Sequence, residues 1–282
     1  MKIAFLGGGN MATALIGGLI AKGQDAARIS VIELSPAARE KLSARYPVRV
    51  TTAPDVAMKG ADTVVLAVKP QDMKRALASL GSEVRGALVV SIAAGLTVET
   101  ISRWLGGHRR IVRCMPNTPA LIGAGITGLY AFQDVGEEDR NRAETIVSAV
   151  GEVVWLAEER LLDPVTAVSA SGPAYVFWFI EQLAASAVKL GIPKDDALKL
   201  AKHTVLGAAK LAVFSPDSPE VLRKGVTSKG GTTEAALKVF EEEKLAERFL
   251  RAIEAASRRG AELGKEQGKE QGKEQGKEQD KG

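Results

Sequence analysis

The hexapeptide GGGNMA places glycine at positions 7 and 9 and alanine at 12, between the apolar run KIAFLG and a stretch of helical spacing. The pattern Gly7-x-Gly9-x-x-Ala12 suits the cradling of a pyrophosphate. Gly7 permits a tight turn, Gly9 removes the Cβ that would block a phosphate, and Ala12 lets the helix pack on the strand. The helix start adds free N–H groups and a partial positive charge, to which Asn10 and Met11 belong. The same glycines could merely close a strand–helix unit, but the strand before and the helix after them favour a dinucleotide. Glu33 ends the next strand-like run. Its carboxylate can accept hydrogen bonds from ribose hydroxyls, which favours NAD(H), and it would repel the 2′-phosphate of NADP(H). Arg39, one turn into the next helix, could offset that charge, so NADH and NADPH both stand as cofactors. Glu33 could also be no more than a solvated strand end.

Three further turns follow later strands. AVKPQD (67–72) carries Val68, Lys69 and Pro70; the proline fixes the turn and the lysine could reach a cofactor. IAAGL (92–96) offers Ala93 and Gly95, small enough for a flat ring to approach. MPNTP (115–119) holds Asn117 and Thr118 between two prolines, giving polar contacts from a rigid turn. Cys114, on the strand before it, reads as a buried, inert thiol. Much later comes VTSKGGTTEAAL (226–237), where hydroxyls and glycines open a helix. A carboxylate or phosphate there would meet backbone N–H groups and hydroxyl donors. One capping threonine would suffice to start the helix, and the run Ser228–Thr233 exceeds that need. AVSASGPAY (167–175) reads as a kinked or broken helix where something packs closely, or as a tight helix crossing.

The elements that must position these turns follow from periodicity. KIAFLG, RISVIE, VRV, DTVVLAV, LVVSIA, RIVRCM, GITGLY and EVVWL read as strands, and helical stretches separate most of them. This alternation predicts a mostly parallel sheet covered on both faces. From Asp163 no strand pattern is found, and helices are predicted over 163–170, 173–190, 194–213, 219–224, 232–242 and 245–263. The expected organisation is an α/β dinucleotide-binding domain over 1–162 and an all-α domain over 163–263. The helical part is small for a self-contained core, so it is expected to bury its remaining apolar surface in an oligomer. The GKEQ repeats of 264–282 have no apolar residue to bury and glycine at every fourth position, so an unstructured tail is expected.

Composition narrows the function classes. One cysteine excludes an intrachain disulfide, and two histidines without ligands at metal spacing argue against zinc. A net charge of +4 with only 5% aromatic residues gives neither a basic stripe nor stacking platforms for nucleic acid; anionic small molecules fit better. No run is long and apolar enough for a membrane span, and the N-terminus lacks a signal-peptide core. A cytoplasmic protein without a membrane or nucleic-acid partner is the expectation.

The motifs GGGNMA, AVKPQ, AAG, MPNTPA, SASGPAY and above all VTSKGGTTEAALKVFE resemble those of the pyrroline-5-carboxylate reductase family over residues 2 to about 260. The resemblance implies an N-terminal Rossmann-type dinucleotide-binding domain and an all-α C-terminal dimerisation domain. It implies homodimers that assemble, five together, into decamers. It implies NADPH- or NADH-dependent reduction of the C=N bond of 1-pyrroline-5-carboxylate to L-proline, the last step of proline biosynthesis. The family's substrate contacts carry over onto Ser228, Gly230, Gly231, Thr232 and Thr233, with Thr233 near the ring nitrogen as the catalytic residue. Its cofactor contacts carry over onto Gly7, Gly9, Asn10, Met11, Val68, Lys69, Pro70, Ala93, Gly95 and Asn117. The chain departs from the family at Ala170, where glycine is common, at Ala185 and Ala187, and at Lys229, where proline is common. Two competing readings are a β-hydroxyacid dehydrogenase and a non-catalytic dinucleotide sensor. The first needs a lysine on the long helix after the sheet, where Lys189 lies near the far end; the second has no use for a late anion loop.

Overall fold

A computed structural model describes residues 1–80, 84 and 86–279, with residues 265 and 267–279 as backbone only. The chain divides into two compact units, one formed by Met1–Ser171 with the residues from Ala256 onward, the other by Gly172–Ala255.

The first unit is built on a sheet of β1 (Ile3–Leu6), β2 (Ile29–Ile32), β3 (Arg49–Thr51), β4 (Thr63–Leu66), β5 (Leu88–Ser91), β6 (Ile111–Met115), β7 (Gly125–Ala131) and β8 (Gly151–Trp155). Their order is β3-β2-β1-β4-β5-β6-β7-β8, parallel throughout except between β6 and β7. The connection from Met115 to Gly125 is too short for the dozen or more residues of a crossover, so that pair runs antiparallel. Strands β1, β2, β4 and β5 are buried at every residue, as strands covered on both faces must be. Side chains alternate between two cores. Ile3, Phe5, Val31, Val65 and Val90 meet Leu15, Ile16 and Leu19 of α1 (Asn10–Ala21) and Ile146 of α6 (Glu137–Val147). Ala4, Leu6, Val64, Leu66 and Val89 meet Met73 and Leu77 of α4 (Pro70–Ala78) and Ile101 of α5 (Val98–Trp104).

Local chemistry sets the helix starts. Ser35 Oγ accepts from the Ala38 N–H ahead of α2 (Pro36–Arg45), with Pro36 in the first turn. Thr97 Oγ1 does the same for α5 through Thr100 N–H at 3.1 Å. The short α3 (Pro54–Met58) was not anticipated; five residues leave no periodicity to read. The predicted break in AVSASGPAY is a π-helical turn at Thr166–Ala170, after α7 (Leu162–Val165).

The second unit contains α8 (Gly172–Lys189), α9 (Lys194–Phe214), α10 (Pro219–Gly225), α11 (Thr232–Glu242) and the start of α12 (Leu245–Gln279). Helix α8 packs on α9, with Ala197 and Ala201 buried. Phe177, Trp178, Phe179, Phe214 and Phe249 are exposed. Tyr175, Trp178, Phe179, Phe240, Phe249 and Ile253 line an apolar groove of about 1500 Å³.

The GKEQ repeats differ from the expected tail. Their backbone continues α12 to Gln279, and residues 280–282 lie outside the described residues. Lysine, glutamate and glutamine are good helix formers, and a helix already nucleated at Leu245 extends without a new nucleation cost, while each glycine still costs roughly 1 kcal/mol. Where the repeats begin, a Cβ on Gly264 would lie 3.1 Å from the Gly95 carbonyl oxygen.

Candidate functional site

The topology gathers the glycine-rich turn and the three later turns at one edge of the first unit. The chain moves outward from β1 through β2 to β3, then returns to place β4 on the other side of β1. Ligand crevices in such sheets open at this reversal, beyond the carboxyl ends of the strands. Gly7 and Gly9 follow β1, Glu33 follows β2, Val68 to Pro70 follow β4, Ala93 and Gly95 follow β5, and Asn117 follows β6. The five strand ends are consecutive neighbours, so one ligand can span all of these positions.

Each glycine of the first turn has its own reason. Gly7 has φ 101°, and a Cβ there would lie 2.8 Å from the Ala67 carbonyl oxygen. Gly9 has ordinary extended backbone, and a Cβ there would point into open space. No side chain caps the first turn of α1, so its leading N–H groups remain available to an anion. An open cradle, uncapped donors and the adjacent Glu33 fit a dinucleotide.

Glu33 is fixed rather than solvated. Its Oε2 accepts from Gly8 N–H and its Oε1 from Ser35 N–H, each at 2.8 Å. Arg39 Nη1 donates to the carbonyl oxygens of Glu33 and Leu34, at 3.1 and 2.7 Å. Lys69 is exposed at the start of α4, with Pro70 in its first turn.

Asn117 is largely committed to the protein. Its Oδ1 accepts from Ile126 N–H at 3.0 Å, and its Nδ2 donates to the Ser169 carbonyl oxygen at 3.3 Å, inside the π-helical turn. Cys114 is buried at 3% exposure, and burial pushes its thiol far above the ordinary range, which leaves it inert.

Sequence reading missed one ion pair at this edge. Arg113, on β6, is 7% exposed and its Nη1 donates to Glu159 Oε1 at 2.5 Å. The same oxygen accepts the Val98 N–H at 2.8 Å, at the start of α5. Burial first, then the charges of Glu159 and Glu99, raise the Tyr130 phenol above its usual value. No sequence spacing marks the pair, because its members stand 46 residues apart.

In the second unit, residues 226–233 form the turn before α11. Gly230 takes φ 72°, which glycine adopts at little cost. Its N–H donates to Glu234 Oε2 at 2.6 Å, and Gly231 N–H donates to the Ser228 carbonyl oxygen at 2.9 Å. Thr227 Oγ1 donates to the Arg223 carbonyl oxygen. The hydroxyls of Ser228, Thr232 and Thr233 make no hydrogen bond among the described residues, and Gly231 offers α11 no side-chain cap. The glycines therefore shape the turn, while the free donors are three hydroxyls and the leading N–H groups of α11. On α8 Lys189 is the last residue.

Comparison with known proteins agrees with both halves of this picture. Residues 2–95 match a family model described as NADP oxidoreductase coenzyme F420-dependent, and residues 159–263 match one described as pyrroline-5-carboxylate reductase dimerisation. A pyrroline-5-carboxylate reductase of Pseudomonas aeruginosa is 44% identical over 263 residues, covering 93% of this chain and 96% of that protein. A solved pyrroline-5-carboxylate reductase from Coxiella burnetii superposes with a TM-score of 0.89 at 43% identity, covering 93% of this chain and 98% of the other. The Plasmodium falciparum pyrroline carboxylate reductase, solved with NADP bound, gives 0.80 at 25% identity, with 94% and 98% covered.

Proposed function

The chain belongs to the pyrroline-5-carboxylate reductase family, and from that premise we propose how its own residues divide the reaction. It is an NAD(P)H-dependent oxidoreductase that reduces the C=N bond of 1-pyrroline-5-carboxylate to give L-proline. The observation that carries the residue assignment is the single edge of consecutive strand ends holding Gly7, Gly9, Glu33, Val68, Lys69, Pro70, Ala93, Gly95 and Asn117.

When bound, the reduced nicotinamide supplies a hydride for the imine carbon. Gly9, Asn10 and Met11 receive the pyrophosphate at the start of α1. Glu33 accepts from the adenosine ribose. Val68, Lys69 and Pro70 would contact the cofactor, and Ala93 and Gly95 would leave room for its nicotinamide ring. Asn117 acts there chiefly through the turn it braces, since its amide is occupied. The substrate carboxylate is held by the Ser228 and Thr232 hydroxyls and the first-turn N–H groups of α11, in the conformation that Gly230 and Gly231 permit. Thr233 Oγ1 hydrogen-bonds the ring nitrogen and orients the imine. The proton on that nitrogen comes from water, so no strong protein acid is required.

The working assembly is a homodimer formed through the helical unit. Five dimers joined in a decamer, and a cytoplasmic location, are part of the same proposal; the first rests on the resemblance to the family and is decided by the mass in light scattering. The assay that tests the whole reading follows loss of reduced-cofactor absorbance on adding 1-pyrroline-5-carboxylate, with proline identified as product. Cofactor binding without turnover would sink the imine as substrate. Turnover of a 3-hydroxy acid in its place would favour the β-hydroxyacid dehydrogenase reading.

A further inference from the structure

The turn between β5 and α5 carries Ala93 and Gly95; Leu96 buries its side chain in the core, but no side chain from Ile92 to Leu96 can form a hydrogen bond that fixes the backbone between them. At its start, Ser91 Oγ accepts from Ala93 N–H at 3.4 Å. At its end, Thr97 caps α5, and the next N–H, that of Val98, reaches Glu159, 61 residues later in the chain. Glu159 Oε1 also receives Arg113, which stands in β6 in register with Ser91 on one side and Tyr130 on the other. One carboxylate oxygen thus joins the end of the β5 turn to the strand that leads into the Asn117 turn. The Arg113 side chain is 9% exposed, and its Nε has no partner among the described residues. Removing such charges from water costs about as much as their attraction returns, so stability alone is a weak reason for the pair. Fixing the position of the groups it touches is a better one.

We propose that Arg113 and Glu159 are positioning residues for the cofactor: the pair presets the backbone of Ala93–Leu96 against β6, so that the turn need not be ordered when the nicotinamide arrives. The proposal rests on the cofactor assignment made above for Ala93 and Gly95. Neither residue touches cofactor or substrate in this scheme.

The test is Glu159→Gln, which keeps an oxygen for Val98 N–H but removes the counterion of Arg113. NADH and NADPH affinities are measured by fluorescence titration with no imine present, beside kcat, KM and thermal melting. Both cofactor affinities are expected to weaken by about tenfold, the effect of ordering a turn at binding, with kcat at saturating cofactor changed by less than about twofold. The single variant Arg113→Lys, which retains the charge and its Glu159 partner, should lose less affinity than Glu159→Gln. If Glu159→Gln fails to fold, the paired Arg113→Met/Glu159→Gln variant removes the unpaired charge and should show the same weakened binding. A folded variant that binds cofactor as wild type does, while melting earlier, would show a structural role only and overturn the proposal. Because the titration contains no imine, failure of the substrate assignment reads out separately, as binding without turnover.

Discussion

Thr233, Glu33 and Gly9 each make a separable prediction. The Thr233 hydroxyl has no hydrogen-bond partner among the described residues, so Thr233→Ala leaves none of them unpaired. Turnover should fall about tenfold, the upper range for one lost hydrogen bond, while NADH and NADPH affinities stay at wild-type values. Unchanged kcat would remove Thr233 from the mechanism. Glu33 is held by two backbone N–H groups, so it cannot swing away from an added 2′-phosphate without breaking both. Glu33→Ser should raise the NADPH-to-NADH ratio of kcat/KM by about tenfold or more, since removing one nearby like charge is worth at least roughly 1.4 kcal/mol at close range. Equal ratios in variant and wild type would show that Arg39 already neutralises the site. The two glycines of the first turn should fail differently. Gly9→Ala meets open space in the protein and should melt normally while losing cofactor affinity. Gly7→Ala places a Cβ against the Ala67 carbonyl at φ 101° and should lower stability itself. Reversed melting behaviour of these variants would contradict the assigned roles.

At the scale of elements, what was legible in the sequence depended on how local its cause was. The strands announced themselves because two-sided burial demands continuous β-branched runs such as TVVL and LVVS. Cap residue Ser35 acts within three residues and could be read directly, as Pro36 follows it; Thr97 caps α5 over the same distance but was not read. The break before α8 was visible as small residues around Pro173, but neither its π-helical form nor the hydrogen bond its Ser169 carbonyl accepts from Asn117, 52 residues away, has a local signal. The Arg113–Glu159 pair was invisible for the same reason: arginine in a strand and glutamate in a turn are ordinary until the fold joins them. At the candidate site, the positions of the glycine-rich turns were legible, but which of their donors lack a partner among the described residues was not. Only the fold shows Gly230 N–H taken by Glu234 and Gly231 N–H taken by Ser228. In the GKEQ repeats the lack of apolar residues was weighed above the helix propensity of three residues in every four, and the backbone continues α12.

The whole molecule is shaped by what its helical unit leaves uncovered. Phe177, Trp178 and Phe179 are 60%, 59% and 45% exposed on α8, more apolar surface than a solitary unit keeps in water. Covering that surface is the expected physical basis of a homodimer. Trp178→Glu should therefore shift the mass in light scattering toward a single chain and make the melting temperature of the residual dimer depend on protein concentration. A dimer of unchanged mass and affinity would place the interface elsewhere. The sheet unit has a different peculiarity, because it takes in the residues from Ala256 onward, where Gly264 meets the Gly95 turn. Its chain departs at Ser171 and comes back only after the helical unit has been made. On the ribosome, where domains fold from the N-terminus as they emerge, the first unit must wait for the residues beyond Ala256 before α12 can dock on it. A transcript cut short there would leave the cofactor turn without its last neighbour, however well the strands had already formed.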